Sequence, residues 1–138
     1  MKDMVAEETA LDRLERIICE LRRFQSVIEK ALSYSDNSHT FDNVCGRVID
    51  GSLDLYVLPN SVMLCETFRQ PNFSQYHVYL GGGDLQEIID YHPQMEREAR
   101  LRGCKYLSMT GRLGWKKPLE QNGWTHKLSI YKKEVPDV

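Results

Sequence analysis

The chain has 138 residues, of which 41% are hydrophobic and 28% charged, so its composition is that of one globular domain and excludes a disordered tail or a collagen-like rod. Eighteen Lys and Arg residues against twenty Asp and Glu residues give a formal net charge of −2, which excludes a surface built throughout to coat nucleic acid or anionic lipid. No stretch approaches the ~20 apolar residues of a membrane span, so we expect no membrane partner.

Residues 1–36 are predicted to hold one long amphipathic helix, free of Gly and Pro from about Glu7 to Tyr34. Its apolar residues recur at alternating spacings of three and four, and flanking apolar residues make this face broad enough to cover a sheet. A helix of this length spans roughly 42 Å, against about 37 Å for the diameter of a compact chain of this size. It therefore either crosses the whole domain or leaves an apolar end for another chain. The candidate contact residues are Leu11, Leu14, Ile18 and Leu21.

Residues 37–133 are predicted to form a core that contains a sheet, followed by a polar tail at 134–138. Short turns between the first three strands favour an antiparallel meander. Pro93 falls inside a helical stretch, where it must kink the helix or open a new one. In chain order the predicted elements are a helix at 41–49, strands at 53–58, 62–68 and 76–80, a helical stretch at 85–102, a strand at 105–109, a helix at 114–121 and a last strand at 124–132.

Cysteine and histidine spacings point to no metal or nucleophilic centre. The cysteines form no C-x-x-C pair, the histidines form no pair at i, i+3 or i, i+4, and no G-x-S-x-G motif occurs. We interpret the cysteines as small apolar residues in a reducing compartment and predict no metal. These residues are Cys19, Cys45, Cys65 and Cys104, with His39, His77, His92 and His126.

The order of elements and two stretches of sequence resemble the Gcn5-related N-acetyltransferase (GNAT) fold. The run E-R-E-A-R-L-R-G-C-K-Y-L at 96–107 is similar to the end of that family's central helix and its entry into the next strand. The run G-R-L-G-W at 111–115, followed by G-W at 123–124, is similar to an arrangement in small GNAT-like proteins of tailed bacteriophages, some of which are thought to be virion or assembly components.

This resemblance covers about 41–133 and implies an α+β fold, in which a mixed, mostly antiparallel sheet is flanked by helices. GNAT enzymes usually begin with a strand, and residues 1–8 make a poor one. We therefore expect that the long helix has replaced this strand, or that the sheet is one strand short.

For an active enzyme, the resemblance implies acetyl-CoA bound along the strand at 76–80, with its phosphates at the triglycine that follows. The family's phosphate loop, [QR]-x-x-G-x-[GA], offers backbone N–H groups at a helix N-terminus. This chain has no Gln or Arg at the expected place before its glycines. The cofactor-binding residues of an enzyme would be Val78, Leu80, Gly81, Gly82 and Gly83.

Two carboxylates stand where that pyrophosphate would lie. Asp84 occupies the N-cap position of the predicted helix, and Glu87 follows three residues later, as in a capping box. Such side chains would bond the helix N–H groups themselves and place negative charge at the site. We therefore interpret the triglycine as structural and predict no cofactor.

His77 and Glu66 are the candidate bases if the chain is an enzyme. His77 lies on the strand where the family places its base and would titrate near neutral pH. Glu66 lies on the preceding strand, where alternation puts it on either face. The resemblance also implies a Tyr acid on the helix at 114–121, which contains none. A lone strand histidine is more often structural, and we assign no catalytic residue.

Charge is unevenly distributed along the chain. Residues 97–133 hold ten basic and two acidic residues, about +8, so the remainder carries about −10. The basic segment either pairs with the acidic part of its own chain or docks on an acidic protein, on nucleic acid or on another copy. The candidate docking residues in this segment are Arg112, Trp115, Lys116 and Lys117.

The sequence thus favours a phage virion or assembly component that has kept the GNAT scaffold, lost acetyl-CoA chemistry and acts by protein–protein docking, in the virion or the host cytoplasm. Its expected partners are other virion or assembly proteins, including further copies of itself. The alternative is an active GNAT-family N-acyltransferase that uses acetyl-CoA. Nucleic-acid binding through 97–133 is compatible with the first hypothesis.

Overall fold

A four-stranded sheet with helices on both faces makes up the structure, a computed structural model that describes residues 7–137. This is the mixed α+β architecture that the sequence predicts. No helix in that range is long and apolar enough to cross a membrane. The elements are α1 (Ala10–Arg23), α2 (Gln25–Ser33), α3 (Phe41–Ile49), β1 (Asp54–Val57), β2 (Ser61–Arg69), β3 (Ser74–Gly83), α4 (Leu85–Asp90), α5 (His92–Leu101), β4 (Tyr106–Met109), a 3-10 turn (Leu113–Trp115) and α6 (Lys116–Glu120).

The strands lie in the order β1-β2-β3-β4, so β1 and β4 are the edges. The first three form the predicted antiparallel meander, whereas β4 runs parallel to β3 because α4 and α5 carry the chain back across the sheet. Alternation along β2 sends Val62 and Leu64 into a core with α1, α2 and α3, and Met63 and Cys65 into a second core with α4 and α5.

The single long helix that was predicted is divided at Phe24. This residue has φ −104° and ψ 13°, away from helical values, and its N–H bonds to the carbonyl of Leu21 at 3.1 Å. Phe24, Ile28 and Leu32 are buried in the core, and the break separates α2, which packs on β3, from α1, which packs mainly on α2 and α3. Residues 1–6 of the predicted segment lie outside the described residues.

Local side chains define where the neighbouring helices begin. The hydroxyl of Thr9 accepts the N–H of Asp12 at 3.0 Å and begins α1. Thr40 and Asn43 form a reciprocal capping box at the start of α3. Pro93 lies in the first turn of α5, where no intrahelical N–H is needed, so it opens a new helix rather than kinking an old one.

The last strand predicted at 124–132 does not form. From Thr125 to Asp137 the described chain has no regular structure, although its sequence alternates as a strand does. A strand needs a hydrogen-bonding neighbour as well as propensity, and this segment has found none. Its large apolar side chains are between 80% and 92% exposed; they are Leu128, Ile130, Tyr131 and Val135.

The triglycine is the end of β3 rather than the loop that was predicted. Gly81, Gly82 and Gly83 pair with the first three residues of β2. A Cβ on Gly82 would lie 2.4 Å from Cγ1 of Val27 in α2, and one on Gly83, whose φ is +107°, would lie 2.1 Å from the carbonyl oxygen of Asn60. Glycine is therefore required because other parts of the chain touch this backbone.

We expect Gly82→Ala to destabilise the protein by about 1–3 kcal/mol, because the methyl group would overlap Val27 in a packed core. Gly46→Ala is the matched control, since Gly46 lies within α3 with nothing within 4 Å of the added Cβ. It should stabilise the fold by about 0.5–1 kcal/mol. Urea unfolding of both variants measures the difference, and equal midpoints would contradict the close approach of α2.

Candidate functional site at the carboxyl end of β3

The parallel strands β3 and β4 diverge after a short stretch of pairing. Their register runs from Gln75↔Tyr106 to Val78↔Met109, and the last bond joins the N–H of Thr110 to the carbonyl of Val78 at 3.2 Å. β3 bulges next to this point, because Cys65 faces Val78 while Leu64 already faces Leu80. An opening is left between the carboxyl ends of two parallel strands, which is where open α/β sheets bind ligands.

The indole of Trp115 fills this opening. A Cβ on Gly81 would lie 3.5 Å from its Cη2 atom, and a Cβ on Gly111 would lie 3.2 Å from its Cε3 atom. The guanidinium of Arg112 lies 5.1 Å from the centroid of the indole and 4.5 Å from the ring of Tyr34, so it stacks between the two aromatic residues. A side chain of the protein itself therefore occupies the place that a ligand would take.

The N-terminus of α4 is closed by side chains. As predicted, Asp84 is the N-cap, and its Oδ1 accepts the N–H groups of Gln86 at 3.0 Å and Glu87 at 3.4 Å. The capping-box role predicted for Glu87 is wrong: its carboxylate accepts the N–H of Asn60 at 2.9 Å, and the N–H of Asp84 donates instead to Ser61 Oγ at 3.0 Å. Glu87 thus ties α4 to the turn between β1 and β2.

These contacts do not fit acetyl-CoA. The indole fills the space beside the strand along which the cofactor would lie, and α2 and Asn60 press on the glycines that would receive its phosphates. The N–H groups of α4 that Asp84 binds cannot turn to an anion, and two carboxylates would repel one. No chemical step through this cofactor is derived for the site.

Glu66 and His77, the two candidate bases, are directly opposite each other on β2 and β3. His77 is bonded at both ring nitrogens, from Nδ1 to Ser108 Oγ at 2.8 Å and from Nε2 to Thr110 Oγ1 at 2.9 Å. Glu66 accepts a bond of 2.7 Å from Arg47 Nη2. The structure brings the predicted pair together, and each member is already engaged by neighbours.

The electrostatics of this pair favour a neutral imidazole. Burial lowers the pKa of His77, and the negative charge of Glu66 opposes this only in part. Phe68 stacks on the imidazole with a centroid distance of 4.7 Å and covers one of its faces. A neutral histidine can accept a proton, yet it must first give up one of its hydroxyl partners, so the observed arrangement holds β3 and β4 together rather than presenting a base.

Sequence reasoning missed the partners of this pair. Ser108 and Thr110 alternate on β4 and its extension, and Arg47 projects from α3. The i, i+2 spacing of the two hydroxyl residues was visible in the sequence, but only the parallel register of β3 and β4 places them beside His77. A second missed contact joins the hydroxyl of Tyr79 to His39 Nδ1 at 2.9 Å.

The four predicted contact residues of α1 differ in how far they are exposed. Leu21 is fully buried and belongs to the core, so its assignment as a partner contact is wrong. Leu14 and Ile18 are half-buried, and Leu11 is 63% exposed. Of these four residues, Leu11 in the N-terminal part of α1 is the one that is largely exposed.

The predicted docking residues after β4 are also divided. Arg112 and Trp115 are engaged in internal stacking and are not a free docking surface. Lys117 is exposed, and Lys116 lies 3.7 Å from Glu120 across one helical turn. These two lysines keep the exposure that docking requires.

Arg102, one of the basic residues of the 97–133 segment, takes part in an internal polar cluster. The guanidinium of Arg102 pairs with Glu98 and with Asp54 at 3.2 Å, and lies 4.7 Å from the ring centroid of Tyr76. Tyr76 is fully buried and donates its hydroxyl to Asp54 at 2.7 Å. This cluster fastens α5 to β1 and β3, so part of the positive charge pairs internally.

Metal ligation finds no support in the described residues, where no three His, Cys, Asp or Glu side chains converge. Cys65 and Cys104 are buried as expected of small apolar residues, whereas Cys19 is exposed on α1.

We expect the protein to lose stability as the pH falls below about 6.5. Burial lowers the pKa of His77 and of His92, so the unfolded chain gains protons first. The contribution of these two histidines to the free energy of unfolding is therefore fully present above about pH 6.5. At pH 5.5 each histidine accounts for a loss of at most about 1.4 kcal/mol in that free energy. Urea midpoints at pH 7.5 and 5.5 measure this loss, which should shrink in His77→Gln. It should stay unchanged in His126→Gln, where an exposed residue is replaced; equal losses in both variants would contradict the assignment.

The fold is similar to those of solved structures that include two bacterial proteins. A crystal structure of a mutant of TTHA1254 from Thermus thermophilus matches with a TM-score of 0.58 and 12% identity, over 86% of this chain and 92% of that chain. The crystal structure of a possible acetyltransferase from Clostridium difficile 630 matches with a TM-score of 0.52 and 10% identity, over 94% of this chain and 96% of that chain. No protein-family model and no curated protein matches the chain. At these identities the likeness concerns the fold alone, and it supports the GNAT-like architecture that the sequence predicts.

Proposed function

We propose that this chain is a phage virion or assembly component, built on a GNAT-like fold, that has lost acetyl-CoA chemistry and acts by docking on other proteins. The observation that carries the proposal is the indole of Trp115 between Gly81 and Gly111. Trp115 is half-buried, and its contacts with backbone on two sides and with the guanidinium of Arg112 hold the indole in this place.

The G-R-x-G-W motif has a packing role that supports this proposal. Gly111 lets the indole approach the backbone, and Arg112 stacks on that indole and on Tyr34. The motif therefore supplies the side chain that fills the opening between β3 and β4. Its resemblance to sequences in phage-encoded GNAT-like proteins is the basis for the phage assignment.

Docking on other proteins is supported by what the fold leaves exposed. Leu11 gives α1 an apolar end, and the lysines near α6 lie on the surface. Residues 97–133 keep most of their excess positive charge after Arg102 and Arg112 are set aside, which suits an acidic protein partner. Binding of nucleic acid by the same residues stays a prediction.

An active N-acyltransferase is the second candidate, and one observation favours it. Glu66 and His77 are adjacent on one face of the sheet, as a pair of proton-transfer groups would be. Against it stand the engaged ring nitrogens of His77 and the filled opening.

We expect acetyl-CoA to leave the unfolding temperature of the protein unchanged, because Trp115 and Asp84 occupy its place. A ligand present at 100 times its dissociation constant would add roughly 2.7 kcal/mol of stability, which calorimetry detects easily. Trp115→Ala removes the indole and so tests whether it is what keeps acetyl-CoA out. Trp124→Ala removes an indole elsewhere and is the matched control. A clear stabilisation of the unaltered protein by acetyl-CoA would exclude the loss of cofactor binding and favour the enzyme.

The virion role predicts that peptides of this chain occur in purified particles of the phage that encodes it. Mass spectrometry of gradient-purified particles makes the measurement, with a replication protein of the same phage as the control for carry-over. If neither protein is found in the particles, the chain acts outside the mature virion and the structural role is wrong.

A further inference from the structure

We propose that residues 125–133 of one copy add as a strand to the exposed edge of β4 in a second copy, and that reciprocal exchange produces a two-fold dimer. This goes beyond the proposed function, because it names one partner and one surface. It rests on the fold alone and does not depend on whether acetyl-CoA binds.

The donated segment has the pattern of a strand with one apolar face. Its residues alternate strictly, so that in an extended backbone one set of side chains points to each side. Within the segment, the first set has two aliphatic residues at its centre and consists of His126, Leu128, Ile130 and Lys132; the second consists of Thr125, Lys127, Ser129, Tyr131 and Lys133.

This segment forms no strand pairing in its present position. From Thr125 to Asp137 it makes no backbone–backbone hydrogen bond to any described residue. Leu128 and Ile130 are 86% and 80% exposed, which is unusual for two aliphatic residues so close in sequence. Pairing with a strand would replace water on both the backbone and these side chains.

The edge of β4 offers what the segment lacks. On the side away from β3, β4 pairs with no strand of the described chain. Leu107 and Met109 point toward the core with α4 and α5 and are only half-buried there. A strand added beside them would bring Leu128 and Ile130 against this apolar rim and continue the core by one row.

The segment of a second copy is assigned to this edge because the chain's own segment does not lie beside its own β4. Trp124 Nε1 donates to His92 Nδ1 at 3.3 Å in the helix layer on one face of the sheet. Lys132 Nζ lies 3.0 Å from Asp36, which follows α2 in the layer on the opposite face. The segment therefore passes from one layer to the other, whereas a strand paired with β4 would lie in the plane of the sheet.

Exchange between two copies is a closed arrangement. Each copy gives one segment and receives one, so both β4 edges are covered and neither copy keeps a free segment to give to a third copy. The segment loses the exposed ion pair of Lys132 with Asp36, a contact of small value in water.

Sedimentation equilibrium of the full chain over a range of concentrations tests the proposal. The expected mass is twice the 16.1 kDa of one chain. Ile130→Pro removes a backbone N–H and places a ring in the pairing strand, and should weaken the dimer by more than about tenfold. Glu134→Pro, just beyond the segment, is the matched control and should leave the dimer intact. Both positions are exposed, so neither change should alter the unfolding temperature of the protomer.

Hydrogen exchange of residues 125–133 supplies the second measurement, with protection expected to rise with protein concentration. A monomer at every concentration would overturn the proposal. So would a dimer that Ile130→Pro leaves unchanged, because the segment would then not be the contact. Protection that is independent of concentration in a monomer would mean that the segment pairs with its own β4, and would also overturn it. None of these outcomes involves acetyl-CoA, so the result stands apart from that of the proposed function.

Discussion

The contact of Trp115 with Gly81 and Gly111 is the constraint on which the carboxyl end of the sheet depends. β3 and β4 diverge at the bulge, and a gap between diverging strands must be filled, because an empty cavity forfeits the contacts of every atom that lines it. The indole lies against Gly81 of β3 and, more tightly, against Gly111 just after β4, where a Cβ would come within 3.2 Å of the ring. Arg112 then joins this filled gap to Tyr34 at the end of α2. One side chain thereby connects the sheet, the 3-10 turn and the N-terminal helices.

Glycines next to a helix N-terminus invite interpretation as a phosphate cradle, and the structure shows how the same residues serve packing. Gly82 admits Val27, and Gly83 admits Asn60 with a positive φ. The distinction lies in what approaches the backbone: a ligand in one case, the protein itself in the other. Asp84 reinforces the second use, because its carboxylate bonds N–H groups of α4. The missing Gln or Arg in the sequence pointed the same way.

The parts of the fold that could be predicted from sequence are those governed by neighbours along the chain. Helix caps such as Thr9 and Asp84, and the new helix at Pro93, depend on residues within one turn. The break at Phe24 separates a helix that packs on α3 from one that packs on β3, contacts that join distant parts of the chain, and the last strand depends on a pairing partner. The position of Trp115 required knowing that strands about thirty residues apart run parallel and then diverge. Neither the filled opening nor the hydroxyl partners of His77 could be read before that register was known.

The net charge of the chain does not describe how charge is distributed over its surface. The chain's sum of −2 conceals a segment of about +8, and within that segment arginine and lysine are used differently. Arg102 and Arg112, with planar groups that stack on Tyr76, Tyr34 and Trp115, are drawn into the structure. The lysines at 116 and 117 stay exposed on α6. Because an ammonium group loses more hydration on burial than a guanidinium, arginine rather than lysine is used inside the structure, and the cations left on the surface for a partner include these lysines together with the exposed Arg97 and Arg100.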